Sequence, residues 1–186
     1  MKAYFKTMLC LFFASALLIS CEECGEPTIT PITEDDAKWL VYNNQDTIRY
    51  TSNTNEQVKF LLSNAFTENV PGEGYSISDD CIEEMNTQAG RIVQDVKQKW
   101  PGMATYILKS PNDLRVSLVV QGGPAIEIDE NNPTYPTKRI NEVNYLNVFE
   151  VNKDSTKVGD LKRIFFNRDS GFIRVEYYGG RTLQLQ

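Results

Sequence analysis

Histidine is missing from all 186 residues. That absence removes serine–histidine triads, cysteine–histidine pairs and most zinc enzymes, all of which use an imidazole. Cysteine is scarce, with four in the chain, so a closed zinc site of about four N or S ligands has few donors. No basic cluster or Lys/Arg-rich run appears, and nucleic acid, which demands a basic footprint, is not an expected partner. There is no G-x-S-x-G, phosphate loop or dinucleotide fingerprint. Gly122-Gly123-Pro124 reads as a turn, because neither a lysine nor a helix cap follows it. Eleven glycines and eight prolines are ordinary usage, so nothing argues for wholesale disorder.

What the chain does have is acid: 25 Asp and Glu against 19 Lys and Arg. Asp79-Asp80 and Glu83-Glu84 are nameable as a glycosidase pair, but such pairs need a defined separation and adjacent acids read better as a solvated segment. Asp129-Glu130-Asn131-Asn132 offers oxygen ligands without the spaced loop of a dedicated calcium site. A polar turn before Pro133 is the better reading. No catalytic activity, metal or cofactor is expected.

The amino terminus is the most specific stretch. MKAYFKT carries Lys2 and Lys6 and no acid, and Met8 to Ile19 is apolar except for Ser15. A basic start, an apolar run of this length and a small residue at the junction make a secretory signal. The run is too short to span a bilayer, which takes about 20 residues. Leu18-Ile19-Ser20-Cys21 resembles the lipobox of bacterial lipoproteins. The resemblance implies cleavage after Ser20 and a lipid on the Cys21 thiol, and two or more acyl chains anchor a protein stably. The expected layout is therefore signal 1–20, lipidated cysteine and tether 21–36, and one domain over 37–186. The expected partner is the membrane, reached through the lipid anchor.

Without the signal the chain keeps 17 basic and 25 acidic residues, a net of about −8, which suits a body held near anionic lipid without lying on it. Cys21-Glu-Glu-Cys24 makes a poor redox motif, because a Pro- and Thr-rich stretch follows instead of a helix. With Cys10 in the signal and Cys21 lipidated, Cys24 and Cys81 are the remaining thiols. Export favours their pairing, and the alternative is that Cys81 is a small buried hydrophobe.

From Trp39 the pattern turns to short alternating segments. Trp39–Tyr42, Thr47–Thr51, Gln57–Leu62, Ala104–Leu108, Leu114–Val120 and Tyr145–Val151 are strand-like, with a hairpin turn at Pro111–Asp113. Residues 162–186 read as a three-stranded meander. A three-residue loop, Tyr178-Gly179-Gly180, pairs Val175 with Leu183 and Ile173 with Leu185, and puts Glu176 beside Thr182. A four-residue loop, Arg168–Gly171, pairs Phe166 with Ile173 and Ile164 with Val175. One apolar face then holds Ile164, Phe166, Ile173, Val175, Leu183 and Leu185. Between Asp80 and Trp100 the periodicity fits an amphipathic helix carrying Ile82, Met85, Ala89, Ile92, Val93 and Val96, yet Asn86, Thr87 and Gly90 are poor helix formers. Helix and strand both stay open there.

The expected fold is mainly β: a single antiparallel sheet, sandwich or partly open barrel with at most one helix. Trp39, Tyr42, Asp46–Ile48, Tyr50 and Phe165–Leu185 resemble the corresponding stretches of small Bacteroidota lipoproteins of unknown function. That resemblance implies an antiparallel β domain of no known activity, and Glu22 and Glu23 imply surface display at the outer membrane. The expected role is a non-catalytic structural or binding module. Trp39, Trp100 and the tyrosines frame two alternatives: an apolar cavity for a lipid-like ligand, or an exposed aromatic platform for glycan.

Overall fold

Residues 24–186 are described by a computed structural model, and the alternating pattern there becomes strand almost throughout. After β1 (Thr28–Ile29) and a one-turn helix α1 (Glu34–Ala37) come β2 (Thr47–Ser52), β3 (Gln57–Pro71), β4 (Glu84–Asp95) and β5 (Met103–Ser110). Then follow β6 (Asp113–Val120), β7 (Ile126–Ile128), β8 (Tyr135–Ile140), β9 (Val143–Asn152), β10 (Leu161–Asn167), β11 (Gly171–Tyr177) and β12 (Thr182–Leu185). Among the described residues no helix is long and apolar enough to cross a membrane.

Two meanders build one sheet. Strands β2 to β7 follow one another across it, β8 to β12 do the same, and β12 pairs with β2 to join the halves. The outermost strands, β7 and β8, do not pair with each other, so the curled sheet stays an open half-barrel. The expected mainly β, partly open architecture is therefore the observed one. Each hairpin has its own turn chemistry. Ser110 pairs with Asp113 around Pro111-Asn112, while Asn141 and Glu142, at φ 47° and 66°, turn β8 into β9. Positive φ at both central residues matches the strands' right-handed twist.

The concave side is filled. Tyr50, Phe60, Ile107, Leu118, Phe166, Phe172 and Leu183 are fully buried within one cluster that also takes in Trp39 and Trp100. A second, smaller cluster of Ile140, Tyr145, Val148, Phe165 and Ile173 covers the other face of the second meander.

Several expectations need correction. The segment left open between helix and strand is β4, whose neighbours on both sides supply a full ladder. Gly90, a poor helix residue, here lets the Phe66 and Tyr106 rings close over the strand, since a Cβ there would sit 2.5 Å from Phe66 Cε1. Trp39–Tyr42 is not a strand but an irregular stretch that drops Trp39 and Tyr42 into the core. In the terminal meander Val175 opposes Leu183, Glu176 opposes Thr182 and Ile164 opposes Val175, as expected. Phe166, however, opposes Phe172, and the register shifts between Phe165 and Phe166. A β-bulge puts an extra residue into one strand. Here it is Ile173, which joins the second cluster while Phe172 takes the inward position.

The described part of the expected tether is also fastened down. Thr28–Ile29 pairs in parallel with Glu84–Met85, and the Thr87 hydroxyl donates to the Thr30 carbonyl at 2.6 Å. Thr33 caps α1: Asp36 N donates to its hydroxyl while Asp36 Oδ2 accepts from Thr33 N, a reciprocal capping box. Arg168 grips Asp35 and Lys109 approaches Asp36 at 3.8 Å, so α1 bridges the β10–β11 loop and the end of β5. One end of the half-barrel is closed in this way.

Candidate functional site: a cavity at the opposite mouth

The other end lies where β6, β9 and β11 finish and β5, β7 and β10 begin. A cavity of about 420 Å³ opens there between the β6–β7 turn and the β9–β10 loop. Both walls follow from local backbone chemistry. Gly122, at φ 89°, makes the tight turn, and Gly123 N donates to the Val120 carbonyl at 2.9 Å. The Gln121 side chain accepts from Gly102 N at 3.0 Å while Gln121 N donates to the Gly102 carbonyl at 2.8 Å. That double link ties the turn to the start of β5. The predicted turn at Gly122-Gly123-Pro124 thus becomes a cavity wall.

The facing loop is held by Tyr178. Its hydroxyl donates to the Lys153 carbonyl at 2.8 Å, its amide to the Asp160 carbonyl at 2.9 Å, and its carbonyl accepts from Gly159 N at 2.8 Å. Within the loop the Ser155 hydroxyl donates to the Asp160 carboxylate. Pro101, Val120, Leu161 and Tyr177 complete the lining. Tyr177 is 4% exposed, and its buried hydroxyl has no hydrogen-bond partner. Burial pushes this phenol far up, against the opposing pull of the Arg181 charge. Trp100 packs on Tyr177 with centroids 6.0 Å apart, and Arg181 lies 4.1 Å over the Trp100 ring. No sequence reading had singled out Tyr177, Asp154 or Asp160. They are 23 residues or fewer apart in the chain but meet only because β9, β10 and β11 are neighbours.

The residues named from sequence fall elsewhere. Cys21 lies outside the described residues. Cys24 and Cys81 form a disulfide with α-carbons 5.3 Å apart, linking the segment before β1 to the one before β4. Asp79 accepts from Ser76 N at 2.6 Å and so stabilises its own exposed turn. Asp129 does the same, accepting from Asn131 N and from the Asn132 side chain. Among the described residues no three acids or cysteines converge as metal ligands. Trp39 and Trp100, at 5% and 8% exposure, are core residues and contribute to no exposed aromatic platform. The concave face is packed with side chains.

Comparison with family models, with curated proteins and with solved structures finds no match to the chain.

Proposed function

We propose that this chain is an exported lipoprotein, anchored through Cys21 at the cell envelope, whose β domain is a non-catalytic structural or binding module. The junction Leu18-Ile19-Ser20-Cys21, after its basic start and apolar run, is the observation that carries this reading. The Cys24–Cys81 disulfide supports it, because such bonds persist in oxidising, extracytoplasmic compartments. The mouth cavity has ligand-sized volume, and it is walled by loops set on the ends of the sheet.

The test is to express the full chain in a bacterial host and follow it by detergent phase partitioning and by mass spectrometry of its amino-terminal peptide. The wild-type protein is expected in the detergent phase with diacylglycerol on Cys21. The Cys21→Ala protein is expected in the aqueous phase or uncleaved. Identical partitioning of the two would overturn the proposal.

A further inference from the structure

We infer that the chain self-associates through the free edge of β3, two copies joining edge to edge as antiparallel strands about a twofold axis at Phe66. This goes beyond the anchored-module reading and does not depend on it.

The strand ladder leaves that edge bare. β3 runs for 15 residues, but β2 accompanies it only from Gln57 to Leu61. Beyond Leu61 its one neighbour among the described residues is β4. Gly72 N donates to the Glu84 carbonyl at 2.8 Å, and this fixes the alternation along the hairpin. Asn64, Phe66, Glu68 and Val70 turn their main-chain groups to β4, while those of Ala65, Thr67 and Asn69 point away from it. From Ser63 to Asn69 every residue is exposed except the half-buried Phe66. An edge of this kind is a template for another strand. The other two edges of the sheet are guarded: β7 has three residues, and β8 carries Pro136, Lys138 and Arg139. Between Lys59 and Pro71, β3 has one charge, Glu68, and no proline.

The residues along the edge select its occupant. A twofold contact has to be self-complementary, and this strand is. With Phe66 opposite Phe66 of the second copy, Ala65 and Thr67 exchange main-chain hydrogen bonds across the axis, about four in all. Phe66 then falls in a non-hydrogen-bonded pair, where side chains lie closest and an aromatic pair is favourable. On the same face the exposed Asn64 of each copy stands opposite the exposed Glu68 of the other, an amide donor against a carboxylate, twice over. No like charges oppose each other. A register centred on Thr67 instead puts Glu68 opposite Phe66 and leaves the carboxylate without a donor. An unrelated extended peptide gains the main-chain bonds but not these matched pairs. One strand pair covers less than the roughly 1,200 Å² of a stable complex, so the association is weak and concentration-dependent.

The experiment is sedimentation equilibrium of the full chain in excess density-matched non-ionic detergent, over about 10–500 µM, with amide hydrogen exchange at both ends of that range. A monomer–dimer equilibrium with Kd near about 100 µM is expected. The Ala65 and Thr67 amides should exchange about threefold more slowly in the concentrated sample. Asn64→Glu sets a carboxylate opposite Glu68 and should weaken dimerisation about fivefold, while Asn64→Lys should tighten it by about as much. Ala65→Pro removes an N–H that the monomer leaves unpaired and should weaken it about tenfold, with the thermal midpoint unchanged. The inference is overturned if the chain stays monomeric throughout, which would leave the edge to a strand of another protein or to none. It is also overturned if dimers form without slowing these two amides. Equal dimerisation of wild type and all three variants, as chance sharing of micelles would give, overturns it too. None of these outcomes touches the partitioning test of the anchor.

Discussion

The Tyr42 hydroxyl accepts a hydrogen bond from the Phe172 amide at 2.8 Å, joining residues 130 positions apart. Tyr50 completes the arrangement by donating to the Phe172 carbonyl at 2.9 Å. Both contacts serve the backbone groups of one residue beside the β11 bulge, where the regular ladder is broken. Tyr42→Phe strands a buried N–H and should cost about 1–3 kcal/mol in a urea midpoint. Gly171→Ala should cost at least about 1–2 kcal/mol for its left-handed backbone alone, at φ 73°. Its new Cβ would also sit 2.6 Å from Tyr42 Cζ. An unchanged midpoint in either variant would remove this contact as a determinant of stability.

The terminal meander yields a second prediction. Leu183 is fully buried opposite Val175, so Leu183→Ala should cost about 2–5 kcal/mol. Glu176, on the other face beside Thr182, would be dispensable if that face were wet. Its side chain is instead 16% exposed and sits 2.8 Å from Arg174 Nε and 3.9 Å from Arg163 Nε. Glu176→Ala should therefore cost about 1–3 kcal/mol, because the half-covered Arg174 guanidinium loses its partner, while Arg163 keeps Glu150 at 3.4 Å. Chemical denaturation of both variants decides it, and a silent Glu176→Ala would show that the face is solvated after all.

Alkaline pH gives a third. Burial pushes the Tyr42 phenol up to about 12 and raises Tyr50 and Tyr177 further. Their neutral forms belong to the folded state, so their contribution is complete below about pH 10, the ordinary value. It is lost as pH rises through the folded values. Absorbance at 295 nm should show these three tyrosines ionising only together with unfolding, above about pH 12. Ionisation of all nine near pH 10 with the fold intact would contradict the burial.

The disulfide gives a fourth. It closes a loop across 57 positions, worth roughly 4 kcal/mol in the chain-entropy account. Reduction, or Cys81→Ser, should lower the thermal midpoint and expose residues 24–36 to protease before the sheet is cut. Equal protease resistance with and without reductant would show that β1 and α1 hold that segment unaided.

Much of the sheet was legible where strands are short, half-buried and joined by glycine turns. The Val175–Leu183 register could be read because loop length and alternation leave one solution. The bulge at Ile173 could not, since both faces of β11 are covered and an apolar residue fits either side. β4 was ambiguous for the same reason: Ala89 and Val93 face the core while Ile92 pairs on the opposite side, so no clean period of two survives. The Pro- and Thr-rich stretch around Thr33 read as a spacer because its capping box serves a single turn of helix. The mouth cavity was beyond reach, since its walls come from β5, β6, β9, β10 and β11 and no local pattern marks them.

The placement of Cys81 has a mechanical consequence. Tension applied to the chain ahead of Cys24 does not peel β1 and α1 away one contact at a time. It passes through the disulfide into the segment that leads to β4, a strand laddered on both sides. The load is then shared by many hydrogen bonds at once, and β1, α1 and the Trp39 plug stay off the force path. Reduction reroutes the pull through them: β1 would unzip first, then the Asp35–Arg168 contact, and the closed end of the half-barrel would open while the mouth remained folded.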